Sequence, residues 1–340
     1  MRPTVKDVAE RAGVSPKTVS NVLNGVIRVA PPTKERVERA IEDLGYVPNL
    51  SARGLRSGRT GIVALVVPEL RTPFSAELTH EFVELAHARG LVVQIEQSWG
   101  DPSRTSELVT AARRHLVDGV VINPVTLQEH VLLIDQDGPG VPLVAIGEVP
   151  QHDVDQVWVD SVHAAREITR LLVGTGHRRI AMIGAPGGGL ETFTGRMRRD
   201  GYREALLEAG LPLDPALERH CPDWSPRGGA EAVRRLLDEG VAVDALFCCT
   251  DSIAIGVLSA LWSAGVRVPE DVSVAGFDDV ADAQFASPPL TSVHFDRRDY
   301  AAAALERLVA RIDGDDGPAR QVVVPSTVVR RASVRERPAR

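Results

Sequence analysis

The sequence predicts an all-α helix-turn-helix head followed by an α/β body of two doubly wound parallel-sheet subdomains. The length of 340 residues exceeds what one hydrophobic core normally serves. The balance of charge also changes along the chain: residues 1–60 carry 11 Lys and Arg against 6 Asp and Glu, whereas the rest carries 28 against 40. A small basic head on a large acidic body suggests that the head alone meets an anionic partner.

The head begins with two short predicted helices that are separated by a tight turn. Thr4 and Asp7 have the spacing of a capping box, which begins a helix over about residues 5–12. Pro16 suits the first position of a second helix, over about residues 16–23, because its missing N–H group would have no partner there. The head therefore starts with a helix, a turn and a second helix.

A third predicted helix completes the head. Apolar residues recur at helical spacing from Thr33 to about Leu44, and Gly45 is a suitable stop. Three short helices with so tight a first turn are typical of a helix-turn-helix module.

The second helix has one apolar and one polar face. The apolar stripe consists of Val19, Val22 and Leu23. Lys17 and Asn21, four residues apart, share the opposite face; lysine can donate to guanine, and asparagine can pair with adenine. A solvated helix face explains this composition about as well as a DNA-reading face, so the composition alone leaves both interpretations open.

Residues 49–61, NLSARGLRSGRTG, contain too little apolar surface to fold alone, which predicts a linker that orders on binding. The segments TVKDVAERAGVSPKTVSNVLNG, RVERAIEDLGYVPN and SARGLR stand in this order. Together they resemble the DNA-binding head of the lactose-repressor (LacI/GalR) family of bacterial transcription regulators. In that family the linker becomes a hinge helix in the minor groove. The resemblance therefore implies that Leu55 wedges between base steps.

The resemblance also implies which residues of the head contact DNA. Those facing bases would be Pro16, Lys17 and Asn21, and those holding phosphates would be Ser15, Thr18, Ser20, Asn24 and Arg28. Many members of the family carry arginine at the position of Asn21, so we expect this chain to read a different operator sequence.

The body alternates short apolar runs with helical segments. GIVALVVP, DGVVINP, RRIAMIGAP and VSVAGFDD are examples of such runs. Buried apolar runs that alternate with amphipathic helices predict parallel sheets covered on both faces. There are two sets of runs, divided near residues 150–160. The resemblance implies the periplasmic-binding-protein (type I) architecture with three crossing segments, which we place near Val159, Pro288 and Pro325.

These positions define the predicted domains. A helix-turn-helix domain spans residues 1–48, a hinge spans 49–60, and an effector-binding and dimerisation domain spans 61–340. Within the last, the N-subdomain comprises about 61–159 and 289–324, and the C-subdomain about 160–288 and 325–340.

The ends of the predicted strands carry side chains suited to a polar ligand. Open α/β sheets bind ligands beyond the carboxyl ends of their strands, where aromatic faces and charged forks would accommodate a sugar. By family position, the effector-lining residues are Phe74, Thr194, Arg198, Trp224 and Asp278. The alternatives are a turn residue for Asp278 and a core indole for Trp224. Asp251 is predicted to be the N-cap of its helix instead.

Two other classes of protein fit the sequence less well. An enzyme is disfavoured because GAPGGGLETFTG lacks the Gly-Lys-Ser/Thr ending of a phosphate-binding loop, and no GxSxG motif is present. The three cysteines lack metal-ligand spacing and are predicted to be buried and reduced, so we expect neither a metal nor a cofactor. A solute-binding protein would match the body, but not the basic head or the absence of an export signal.

The sequence is therefore interpreted as a ligand-responsive, sequence-specific DNA-binding regulator, a repressor of a carbohydrate-utilisation operon. Its expected partners are pseudo-palindromic double-stranded operator DNA, a sugar-like effector and a second copy of the chain. With no apolar run near the roughly 20 residues of a membrane helix, we expect it in the cytoplasm, associated with the nucleoid.

Overall fold

The computed structural model describes residues 3–24, 29–46, 59–114, 117–129, 141–187 and 191–337. The chain divides into two units, residues 1–60 and 61–340. The described part of the first unit is built of helices, and that of the second is built of two six-stranded sheets with helices packed on them. The predicted fold class is confirmed. None of the described helices is both long and apolar enough to cross a membrane.

Three helices form the head: α1 (Val5–Ala12), α2 (Pro16–Asn24) and α3 (Pro31–Leu44). The predicted capping box begins α1, with the Thr4 N–H and hydroxyl groups donating to Asp7 Oδ2 at 2.7 and 2.8 Å. Helix α3 begins two residues earlier than predicted. Its first two residues are prolines, which need no acceptor, and the Ala30 carbonyl receives the first free N–H groups.

The first sheet of the body has the strand order β11-β5-β4-β3-β1-β2, and all of its strands are parallel. The strands are β1 (Ile62–Val67), β2 (Val92–Gln97), β3 (Gly119–Ile122), β4 (Leu143–Ile146), β5 (Asp155–Val159) and β11 (Gln321–Val324). The helices of this subdomain that the structure describes from end to end are α4 (Pro73–Ala88), α5 (Pro102–Arg114) and α10 (Arg297–Ile312). Helix α10 packs against α4 and against the central strands.

The second sheet has the order β12-β10-β9-β8-β6-β7 and is parallel except for β12. Its strands are β6 (Ile180–Ala185), β7 (Glu218–His220), β8 (Ala245–Cys248), β9 (Ser273–Asp278), β10 (Thr291–Phe295) and β12 (Ser326–Val329). Its helices are α6 (Ser161–Gly174), α7 (Phe193–Glu208), α8 (Pro226–Asp238) and α9 (Asp251–Ser263). Strands β6, β8 and β9 are buried along their whole length, as near-continuous apolar runs predict.

The chain crosses between the two sheets three times. The crossings lie at Asp160 after β5, at Asp296 after β10 and at Pro325 after β11. The prediction of a crossing near Pro288 was wrong. Strand β10, which follows that proline, still pairs with β9 in the second sheet, so the chain changes subdomain only where α10 begins.

The prediction of buried, reduced cysteines is confirmed. Cys221, Cys248 and Cys249 are free thiols with at most 3% of their surface exposed. Burial raises the pKa of the Cys221 thiol to about 12. These thiols therefore act as small core residues.

Candidate functional site

The outer face of α2 presents polar side chains to solvent. Val19 is fully buried, whereas Pro16 and Lys17 are exposed and Asn21 is half-buried. In the described part of the head, the side chains of Lys17 and Asn21 have no hydrogen-bond or ion-pair partner. Their polar atoms are thus available to an external partner.

Ser15 and Thr18 have a structural role at the start of α2. The Ser15 hydroxyl accepts the Thr18 N–H at 3.1 Å, and the two hydroxyl oxygens are 2.9 Å apart. This pattern caps the amino end of the helix that carries Lys17. Ser20 is half-buried on the same helix. The predicted DNA contacts Arg28 and Leu55 lie outside the described residues, as does the side chain of Asn24.

In the body, a buried guanidinium–carboxylate pair joins two of the predicted effector residues. Arg198 Nη2 donates to Asp278 Oδ1 at 3.3 Å, and both side chains are at most 7% exposed. Arg198 Nη1 donates to the backbone carbonyl of Cys249. Nε of Arg198 is buried and has no hydrogen-bond partner among the described residues. One N–H donor of the buried guanidinium is therefore unpaired within the described part of the chain.

Aromatic rings flank this pair. The Arg198 guanidinium lies 3.6 Å from the ring centroid of Phe277 and 5.8 Å from that of Trp224. The amino end of α7 approaches the indole closely, since a Cβ at Gly195 would lie 3.2 Å from Trp224. Trp224 is half-buried and packs partly against the core. The indole thus has a core side and a side that lies beside Arg198.

Asp278 combines strain with burial. Its φ angle of 106° lies in the left-handed region, where a residue with a Cβ costs about 1–3 kcal/mol. Burial raises the pKa of its carboxyl to about 6, although Arg198 and Arg297 oppose the rise. Strain and an elevated pKa at one strand end are typical of functional sites.

Glu148, which the sequence reasoning missed, bridges the two subdomains. Oε2 of Glu148 accepts the Thr194 hydroxyl at 2.6 Å, and Oε1 accepts the Ser161 hydroxyl at 2.7 Å. Glu148 follows the end of β4 by two residues, so the strand-end rule used for the other candidates would have found it. The preceding Gly147 has a φ of 93°, and a Cβ there would lie 2.8 Å from the Asn123 side chain.

Phe74 lies beside a second arginine that was also missed. Arg297 lies 5.4 Å from the Phe74 ring centroid and 4.4 Å from that of Phe295, and the two rings are 5.9 Å apart. Arg297 Nη2 donates to the backbone carbonyl of Asp278. Arg297 thus connects Phe74 with Asp278, and Asp278 is paired with Arg198 beside Trp224. Thr194 is bonded to Glu148 and precedes Gly195, which lies close to the indole.

Asp251 is not the N-cap of its helix, contrary to the prediction. Thr250 holds that position and accepts the Ile253 N–H at 3.2 Å. The Asp251 carboxylate is fully buried and accepts the Val280 N–H and the Ser292 hydroxyl at 2.9 and 2.6 Å. Asp251 therefore joins the segment after β9 to the start of β10, and the Thr250 hydroxyl satisfies a free N–H group at the start of the helix.

The cleft therefore combines carboxylates, guanidinium groups and aromatic rings. Carboxylate oxygens accept hydroxyl protons, a guanidinium donates to ring and hydroxyl oxygens, and aromatic faces pack on apolar sugar faces. Among the described residues, no group of three or more His, Cys, Asp and Glu side chains is placed to hold a metal ion. The arrangement fits recognition of a polar organic molecule.

Comparison with known families gives two matches. The family described as bacterial regulatory proteins, lacI family, matches residues 4–49, and the periplasmic binding protein-like domain matches residues 169–334. The HTH-type transcriptional regulator CelR of Thermobifida fusca is 38% identical over 346 residues, covering 97% of this chain and 98% of the relative.

Solved structures of related regulators share the fold. A CelR–cellobiose complex is 36% identical and matches with a TM-score of 0.73, covering 98% of this chain and all of that one. The lac repressor dimer bound to operator and the anti-inducer ONPF is 26% identical and matches with a TM-score of 0.85 at the same coverage. With its helix-turn-helix head, its two α/β subdomains and these relatives, the chain belongs to the LacI family of bacterial regulatory proteins.

Proposed function

We propose that this regulator is a repressor whose effector is a neutral sugar bound in the cleft beside Arg198 and Asp278. The observation that carries this proposal is the buried Arg198–Asp278 pair, which has a guanidinium N–H without a partner among the described residues and two flanking aromatic rings. The carboxylates of Glu148 and Asp278 would accept sugar hydroxyls. Their presence disfavours an anionic ligand such as a sugar phosphate.

In the head, we assign base recognition to Pro16, Lys17 and Asn21. Pro16 and Lys17 are exposed, and all three residues match base-facing positions of the family. The side chains of Lys17 and Asn21 also have no competing partner in the described part of the head. Ser15, Thr18, Ser20, Asn24 and Arg28 would hold phosphates, and Leu55 would enter the minor groove, as in the family. The operator would be pseudo-palindromic because two copies of the chain bind it about a two-fold axis. Catalysis has no place in this function.

Calorimetric titration tests the effector. Cellobiose, ribose and glucose are compared with glucose 6-phosphate, and Arg198→Met is the matched variant because it keeps much of the apolar stem. We expect a neutral sugar to bind the wild type and to lose at least tenfold in affinity in the variant, since a buried charged hydrogen bond is removed. Binding of the phosphate alone, or a sugar affinity that Arg198→Met leaves intact, would contradict the assignment.

Operator binding is tested with the same ligand. The operator fragment is selected from random duplexes with the purified full-length chain, and its affinity is measured with and without the sugar. Linkage requires that DNA change the sugar affinity by the factor by which the sugar changes DNA affinity. If the sugar increases the affinity for DNA, it is a corepressor, and if it decreases that affinity, it is an inducer. Independence of the two affinities would refute effector control.

A further inference from the structure

A short segment after β9 is held by residues of the other subdomain. Asp278 and Asp279 both have positive φ angles, 106° and 51°, and Ala281 begins a short 3-10 helix. The N-subdomain contacts this segment at both ends. Arg297, the first residue of α10, donates to the Asp278 carbonyl, and Glu77 of α4 accepts the Ala281 N–H at 2.7 Å.

Arg297 and Glu77 also contact each other. Nε of Arg297 lies 3.6 Å from Glu77 Oε2, and the Arg297 side chain is 8% exposed. Its Nη1 donates to the Phe295 carbonyl at 2.6 Å. Burying a guanidinium costs desolvation free energy, which its polar contacts must offset. All the polar contacts given above for Arg297 lie at the junction of the two subdomains.

The next residue provides a comparison within the same helix. Arg298 forms an ion pair with Glu81 at 3.0 Å, four residues further along α4, but its side chain is 62% exposed. It has no hydrogen bond or ion pair with the segment 278–281 among the described residues. The two arginine–glutamate pairs thus join the same two helices, and only the buried one reaches the effector cleft.

We propose that Arg297 is a positioning residue that, with Glu77, fixes the strained backbone of Asp278 and so aims its carboxylate at the effector. This inference rests on the proposed function, because it assigns Asp278 to effector binding. Arg297 acts from the crossing between the subdomains, directly after β10, and Glu77 acts from α4 of the N-subdomain.

The charges around Asp278 make the proposal measurable. Arg198 approaches from α7 and Arg297 from α10, and both oppose the effect of burial on the pKa of Asp278. Glu148 raises that pKa from the loop after β4, and Asp251 of α9 interacts repulsively with Asp278. The other titratable groups near the site are Cys249, Asp279 and Tyr300. Removing the positive charge of Arg297 must raise the pKa of Asp278 above about 6.

The sign of the pH effect follows from this. A sugar hydroxyl that donates to Asp278 favours the ionised carboxylate, so effector affinity falls as the pH drops below the pKa of the free carboxyl. In the wild type, affinity should decrease below about pH 6. In Arg297→Gln the decrease should begin at a higher pH, and in Arg297→Lys, which keeps the charge, it should begin near the wild-type pH.

The experiment measures cellobiose affinity from pH 5 to 8 by calorimetry on the full chain, with Arg298→Gln as the matched control. We expect Arg297→Gln to weaken binding at pH 8 by about tenfold, the size of one lost charged hydrogen bond, and to shift the pH midpoint upward. Arg298→Gln should change neither quantity. Glu77→Gln should weaken binding less than Arg297→Gln, and the effects of the two should not add, because they act on one contact.

A second readout needs no effector. The pKa of Asp278 is followed by the titration of its labelled carboxyl carbon in the unliganded protein, in wild type, Arg297→Gln and Glu77→Gln. If Arg297→Gln does not fold, Glu77→Gln and Arg297→Lys still test the contact. A folded Arg297→Gln with wild-type cellobiose affinity and an unchanged Asp278 pKa overturns the inference. A wild type that binds no sugar, but whose Asp278 pKa rises in Arg297→Gln, contradicts the proposed function and leaves the positioning role supported.

Discussion

Thr194→Val should release the amino end of α7 from the opposite subdomain. The Thr194 hydroxyl donates to Glu148 Oε2 at 2.6 Å, and the neighbouring Phe193 N–H donates to the Val125 carbonyl at 2.9 Å. Both bonds cross the cleft. Valine keeps the branched shape of threonine and removes only the hydroxyl donor. The substitution therefore breaks the Thr194–Glu148 bond, and the state of the Phe193–Val125 bond shows the effect.

The magnitude follows from the kind of bond. A hydrogen bond to a charged group contributes about 1.5–3 kcal/mol, which is roughly a 10- to 150-fold change in an equilibrium constant. If the two bonds open together, the Phe193 amide should exchange with solvent faster by about that factor. Sugar affinity should fall as well, because the closed form is populated less.

Amide hydrogen exchange of the full chain measures this directly, with Ser161→Ala as the matched control. Ser161 donates to the other oxygen of Glu148 at 2.7 Å, but it follows the crossing at Asp160 and does not belong to α7. Its substitution should leave the Phe193 amide protected. Wild-type protection of Phe193 in Thr194→Val would refute the idea that these two bonds hold the cleft together.

Two further predictions concern the head and the first sheet. In a randomised-operator binding assay, Asn21→Ala should lower the discrimination between bases at one operator position by about 1–3 kcal/mol. Ser20→Ala should instead weaken the affinity for all sequences alike. A uniform loss of affinity in Asn21→Ala would mean that Asn21 contacts phosphate. Asp155→Asn should destabilise the body by roughly 3–5 kcal/mol in urea, because Arg307 and Arg311 lose a buried partner. Burial alone would raise the pKa of Asp155, but its hydrogen bonds to the two arginines and to a backbone N–H lower it below the usual 3.8. The contribution of Asp155 to the free energy of unfolding is therefore present above that pH and is lost as acid titrates the folded carboxyl. An acid unfolding transition in Asp155→Asn that matches the wild type would contradict this.

The helices of the head were predictable because their signals are local. A capping box, a proline and a left-handed glycine act within one turn of the helix that they begin or end, so the predicted bounds of α1 needed no tertiary information. The start of α3 was missed by two residues because two consecutive prolines look like a loop in the sequence. In the helix, however, they occupy positions whose missing N–H groups need no acceptor.

In the body, the apolar runs predicted the strands but not the sheet that each strand joins. Strand β10 is a short run like the others, and only its pairing with β9 keeps it in the second sheet, so the middle crossing was placed too early. Pairing is a long-range property that the alternation of apolar residues does not encode. The same limit applies to Arg297, whose partners come from β9 and α4 and leave no periodic signal.

Glu148 relates cleft closure to ligand binding. A carboxylate offers about four acceptor positions, and the hydroxyls of Thr194 and Ser161 use two of them, one on each oxygen. A sugar hydroxyl can therefore bind Glu148 without displacing either contact. Because the same holds for Asp278, whose Oδ1 accepts from Arg198, an effector adds acceptor–donor pairs to a cleft that protein contacts already close. Ligand and closure then reinforce each other, and weakening the Thr194–Glu148 contact must weaken effector binding.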